Sequence, residues 1–165
     1  MEGDDRFAGI RRRLEAVSGY LELRMFEDAA AELDGIPPPL DKVRQVEVMR
    51  ALVWQAAGDW RKLREVSHVL VKQWPDDANH WIWLAYATRR CRSLDGAEEV
   101  LLDALRFHDT EPVIHFNLAC YAAQLGKLDL ARLRLGEAIK LDPRVREMAL
   151  GDSDMEPLWP ELRAV

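Results

Sequence analysis

Residues 112–143 read PVIHFNLACYAAQLGKLDLARLRLGEAIKLDP, and this stretch decides the fold. It holds two apolar-periodic segments separated by Gly126 and closed by Pro143. Leu118, Ala119 and Ala122 fall on one face of the first segment, and Leu128, Ala131, Leu135 and Ala138 do so on the second. Small Ala119 and Ala131 allow two helix backbones to approach closely, while Gly126 admits the left-handed conformation that a tight helix–helix turn requires. One such hairpin cannot bury its apolar face alone, so it needs neighbours of its own kind.

The sequence supplies them at a spacing of 34 residues. Stepping back from Leu128 gives Leu94, Trp60 and Phe26; from Ala131, Ala97, Leu63 and Ala29. From Ala138 the same step gives Ala104, Leu70 and Ile36, and from Ala119 it gives Ala85, Ala51 and Val17. Trp81-x2-Leu84-Ala85, Ala97-x3-Leu101, Leu118-Ala119 and Ala131-x3-Leu135 carry the pattern best. The second unit keeps Ala51, Trp54, Gly58-Asp59-Trp60 and Pro75 but places Arg50 and Ser67 where apolar groups are wanted. The first matches through Tyr20, Phe26, Ala29 and Leu33. Over residues 10–145 the period and these residues resemble the tetratricopeptide repeat (TPR) family. The resemblance implies an all-α, right-handed superhelical solenoid of helix-turn-helix hairpins with a C-terminal capping helix. The expected organisation is a single domain over residues 1–165, with repeats at about 10–43, 44–77, 78–111 and 112–145 and a cap at 146–165.

Local signals refine this outline. Asp4 or Asp5 is expected to cap a first helix reaching about residue 24, followed by a short helix to residue 34 and the Pro37-Pro38-Pro39 run. Two readings of that run stay open: an irregular N-terminal capping unit, or a proline-rich ligand for an aromatic groove. Asp41 and Asp59 are expected to cap the next two helices, which end near residues 57 and 73. The third pair spans residues 78–91 and 94–107. Past Pro143 a short helix over 144–150 should stop at Gly151, and Asp152-Ser153-Asp154 should cap a last turn. Leu158, Trp159 and Leu162 then cover the exposed face of the fourth repeat. The Asp-x-Asp-x-x-x-Leu tail is similar to the ends of bacterial TPR proteins.

A net charge of −6 opposes general nucleic-acid binding, and the Arg11-Arg12-Arg13 and Arg61-Lys62 clusters read as solvated faces. An acidic start without an apolar run is not a secretory signal, and no stretch is long and apolar enough to span a membrane. Cys91 and Cys120 have neither metal nor redox spacing, so free thiols and a cytoplasmic location are expected. No phosphate loop, nucleophile elbow or zinc motif occurs. His68, His80, His108 and His115 read as ordinary, partly exposed histidines, and Glu98-Glu99 and Glu27-Asp28 as solvated carboxylates. No catalytic residue, metal or cofactor is expected.

What remains is a surface for a protein or peptide. The resemblance implies that the first helix of each pair lines a concave groove. Helical phase then selects Met49, Leu52 and Gln55, then Asn79, Trp83, Tyr86, Arg89 and Arg90, and finally Val113, Asn117 and Cys120, with Ile82 and Phe116 divided between groove and core. Trp83, Tyr86 and Arg90 share one face, with residue types enriched in interface hot spots. Family members that grip a C-terminal carboxylate use Lys and Asn on successive first helices, then Lys and Arg on a third, at positions matching Leu14, Ser18, Met49, Asn79 and Trp83, or Val48, Leu52, Trp83, Val113 and Asn117. Neither set is positive here, so acidic chaperone C-termini should not bind. The function implied is a non-catalytic interaction scaffold, monomeric or weakly dimeric. The alternative is a small acidic chaperone resembling the TPR-class type III secretion chaperones, which would co-purify with an aggregation-prone client.

Overall fold

A computed structural model describes residues 2–164, with side chains from residue 9 onward. Among the described residues it is all-α, with no strand. Four helix pairs occur in order: α1 (Glu2–Glu22) with α2 (Phe26–Asp34), α3 (Arg44–Ala57) with α4 (Trp60–Gln73), α5 (Ala78–Cys91) with α6 (Leu94–Ala104), and α7 (Pro112–Gln124) with α8 (Leu128–Leu141). A tail follows, formed by α9 (Val145–Gly151), a 3₁₀ turn over Ser153–Leu158, and α10 (Trp159–Arg163). The chain divides into two compact units at the Trp74–Pro75 bond, two helix pairs in each. Among the described residues no helix is long and apolar enough to cross a membrane.

The 34-residue columns are the core. Ala51, Ala85, Ala119 and Val17 are all 0% exposed, as are Ala29, Leu63, Ala97 and Ala131. Ala104, Ala138 and Leu70 are equally buried, and Ile36 nearly so. The column of Phe26, Trp60, Leu94 and Leu128 is only half-buried, because each of these residues opens a second helix at the end of its pair.

The turn inside each pair shows what the period demands of the backbone. Gly58 (φ 71°) and Gly126 (φ 74°) adopt the left-handed conformation, and Arg24, one period earlier, adopts it at φ 59° without the freedom of glycine. Arg92, the equivalent position in the third pair, leaves that region (φ −133°, ψ −91°). There Ser93 caps α6 through Gly96 N (3.1 Å), and a Cβ on Gly96 would stand 3.0 Å from Ser93 Oγ and 3.3 Å from Thr88 Cγ2. Gly96 is therefore the close-approach residue of that turn.

Several expectations are corrected. The first helix begins at Glu2, upstream of Asp4 and Asp5, whose side chains lie outside the described residues. Asp41 does not cap α3: the chain leaving the prolines makes a 3₁₀ turn (Leu40–Lys42), and Val43 stands at the cap position without a side-chain bond. Asp59 does cap α4, through Lys62 N at 3.1 Å. The sixth helix ends at Ala104, short of residue 107.

In the tail, Asp152 caps the turn through Asp154 N (2.9 Å), and the turn packs on α7 and α8. Leu158 is buried there together with Met155, which the sequence reading did not name, while Trp159 donates from Nε1 to the Ala149 carbonyl at 2.8 Å.

Candidate functional site

In the first unit, α1 and α3 are the first helices of successive pairs, and a groove of about 450 Å³ runs between them. Its floor is Ile10, Leu14, Val43 and Met49, and its rim is Arg11, Glu15, Ser18 and Gln45. Leu14, Val43 and Met49 rest on the unit's core of Val17, Leu33, Val46 and Val53, which fixes them from below while leaving their outer surfaces open. Met49 thus stands in the groove, whereas Leu52 is half-buried and does not line it. Ile10 and Val43 were missed as groove residues, although the parallel lines 10/14 and 11/15/18 on one helix were there to read.

A second recess of similar volume is charged. Glu47 is buried at its edge, with Lys42 Nζ 3.8 Å away. Burial holds the Glu47 carboxyl above its usual range against the opposing pull of Lys42 and Arg50. Arg50 is committed to Asp34 (2.6 Å) and the Leu33 carbonyl (3.1 Å), which accounts for a cation where the repeat pattern wants an apolar group. Lys62 sits 4.0 Å over the Trp54 ring.

In the second unit, α5 carries the strip read from helical phase. Trp83 is half-buried, its ring 6.0 Å from that of His80. Arg90 donates to the Tyr86 hydroxyl at 2.8 Å and lies 5.1 Å from that ring, so the two form one polar-edged aromatic platform. Asn79 is exposed and donates from its side chain to Asp77, the cap of α5 (3.1 Å). Asn117 is half-buried on α7, whereas Phe116 is core.

Arg89 is the principal correction. Instead of presenting a free charge to a groove, its guanidinium meets Asp154 of the tail at 2.6 Å and lies 5.5 Å from the Tyr121 ring. Gln124 donates to the other Asp154 oxygen at 2.9 Å. Cys120 is buried beside this group, its sulfur 4.0 Å from Asp152. Burial, reinforced by the carboxylates of Asp152 and Asp154, pushes the thiol far up, so it is neither nucleophile nor ready ligand. Burial also raises the Tyr121 hydroxyl to about 12. The Cys120, Asp152 and Asp154 donor atoms lie within 4.8 Å of one another, but Arg89 already neutralises the second carboxylate. The cluster is a seal between tail and helix.

His80, His108 and His115 are likewise structural. His80 and His115 are buried, not partly exposed, and His115 Nε2 bonds the Asp109 carbonyl at 2.7 Å. His108 Nε2 and Trp81 Nε1 converge on the Pro75 carbonyl at 2.8 and 2.9 Å. Glu98 is not a solvated carboxylate: it is buried against Lys127 at 2.6 Å, joining α6 to the turn before α8.

No family model matches this sequence, and no curated protein matches it either. Solved structures do. A thermophilic TPR protein of Thermus thermophilus, TTC0263, is similar at 19% identity and a TM-score of 0.65, covering 92% of this chain and 82% of its own. YrrB, described as a TPR protein with an unusual peptide-binding site, is similar at 12% identity and a TM-score of 0.66, covering 91% and 80%. The fold is the helical-repeat solenoid of TPR proteins.

Proposed function

We propose that this protein is a non-catalytic interaction scaffold that holds a peptide or helix of a partner protein on its first helices. The observation that carries the reading is the apolar groove between α1 and α3, where Leu14, Val43 and Met49 rest on the core and keep part of their surface exposed. Exposed apolar surface gathered in a groove and rimmed by polar groups is what an interaction site requires. YrrB, of the same fold, has a peptide-binding site, which supports the reading by analogy of fold.

Met49 anchors the proposed site in the first unit, with Leu52 one turn along. In the second unit the site comprises Asn79, Trp83, Tyr86, Arg90 and Asn117, without Arg89, whose charge the tail uses. The polar clusters above serve capping and sealing, so no catalytic role is assigned. The cytosol is the proposed compartment, where Cys91 and Cys120 remain thiols.

A photo-crosslinking residue placed at Met49, and separately at Trp83, tests the reading in extract of the source cell. The expected result is capture of a partner protein at each position, the capture through Met49 being lost with Met49→Asp. Trp83→Ala should weaken binding of the partner captured in the second unit by about 2 kcal/mol. Absence of capture at both positions, or capture indifferent to Met49→Asp, overturns the reading.

A further inference from the structure

The groove of the first unit also specifies the chemistry of its occupant, an inference that rests on the interaction reading above. Both walls are α-helices, whose backbone N–H and C=O groups are bonded internally. Beyond the first turn of α3 they offer an incoming chain side-chain contacts only. An extended peptide laid over Ile10, Leu14 and Met49 would face an apolar floor with its own backbone groups unpaired, which is costly. A helix arrives with those groups already satisfied. The dimension agrees: Ile10 to Ser18 spans about 12 Å along α1, close to the rise of two turns in a partner helix with apolar residues at i, i+4 and i+7.

The rim then selects charge. Arg11 and Glu15 are exposed one turn apart on α1, roughly 6 Å between Cβ atoms, and among the described residues neither is held in an ion pair. Arg13, two residues on, contrasts with them because it is bound to Glu32 at 2.8 Å. Gln45 lies one 34-residue period after Arg11 and adds a second donor to that end of the groove. It lies in the first turn of α3, whose N-terminus no side chain caps, so the helix dipole favours an anion there too. Glu15, one turn along, favours a cation.

We propose that the groove receives an amphipathic helix of a partner protein, its apolar stripe flanked by one acidic and one basic residue a turn apart. The acid lies toward Arg11 and Gln45, and the base toward Glu15. A uniformly acidic or uniformly basic helix meets one unfavourable charge on the rim.

Three hydrocarbon-stapled 16-residue helices test this, sharing one leucine stripe and differing only in the flanking pair: Glu with Lys, Glu with Glu, or Lys with Lys. Fluorescence anisotropy at low salt should rank the mixed peptide first on the wild-type chain, by about fivefold. Arg11→Glu should move the preference to the Lys–Lys peptide, and Glu15→Arg to the Glu–Glu peptide. Both positions are exposed, so circular dichroism should be unchanged. The preferences should shrink with added salt, and Met49→Asp should abolish binding of all three. A ranking that ignores both rim substitutions overturns the charge assignment, while loss on Met49→Asp would keep the groove. If no peptide binds wild type although crosslinking through Met49 captures a partner, the helix inference falls alone. Without capture, the interaction reading falls with it.

Discussion

The α1/α3 face of the first unit and the α7 face of the second meet opposite fates. Both belong to first helices of their pairs. On α7 the chain's own tail supplies Met155 and Leu158 as fully buried apolar anchors, and Asp154 as the acid for Arg89. Between α1 and α3 only Ile10 of the groove's apolar residues is buried, and Leu14, Val43 and Met49 keep part of their surface exposed. The contrast teaches what an occupied face looks like here: apolar anchors below, and a carboxylate engaged by an arginine at the rim. The open groove presents the receiving half of that arrangement.

If the comparison holds, substitutions on the two faces should separate stability from binding. Leu158→Ala should cost about 2–5 kcal/mol by leaving a cavity over α7, while Met49→Ala on the open face should cost about 1 kcal/mol or less. Urea unfolding of both variants checks this, and equal losses would erase the distinction. Asp154→Asn, which takes the carboxylate charge from the bond to Arg89, should cost about 1.5–3 kcal/mol without changing partner binding in the first unit. Ala119→Leu should cost about 1–3 kcal/mol by overpacking a site that is 0% exposed, again without effect on the groove.

The smallest expected effect concerns Glu47. Its carboxyl is held above the usual range in the folded chain, so the folded state favours the protonated form. That contribution is present below the unfolded value and lost as pH rises through the raised one, leaving the ionised group a liability at neutral pH. Glu47→Gln should therefore raise Tm at pH 7, with the gain shrinking toward pH 4. A gain independent of pH would assign the effect to packing.

The pairs and their core were legible because the 34-residue period is a property of sequence alone: Ala51, Ala85 and Ala119 recur whether or not the fold is known. Met49 followed from phase along a single helix, and Trp83 and Tyr86, read in the same way, are half-buried on α5. Arg89 was misread because its partner lies 65 residues away, and no periodicity announces a tail that folds back onto α7. Helical phase alone also could not tell that His80 and His115 would be covered. The Asp41 cap failed for a local reason: the proline run delivers the chain through a 3₁₀ turn, displacing the cap position to Val43. Glu98 looked solvated until the turn bearing Lys127 was placed beside it.

Amide hydrogen exchange of the chain with and without the partner captured through Met49 tests the central claim most directly. Seating that partner between α1 and α3 should slow exchange over residues 10–18 and 43–49, with residues 152–158 unchanged. Protection confined to the tail and α7, with the α1/α3 segments indifferent, would contradict the account.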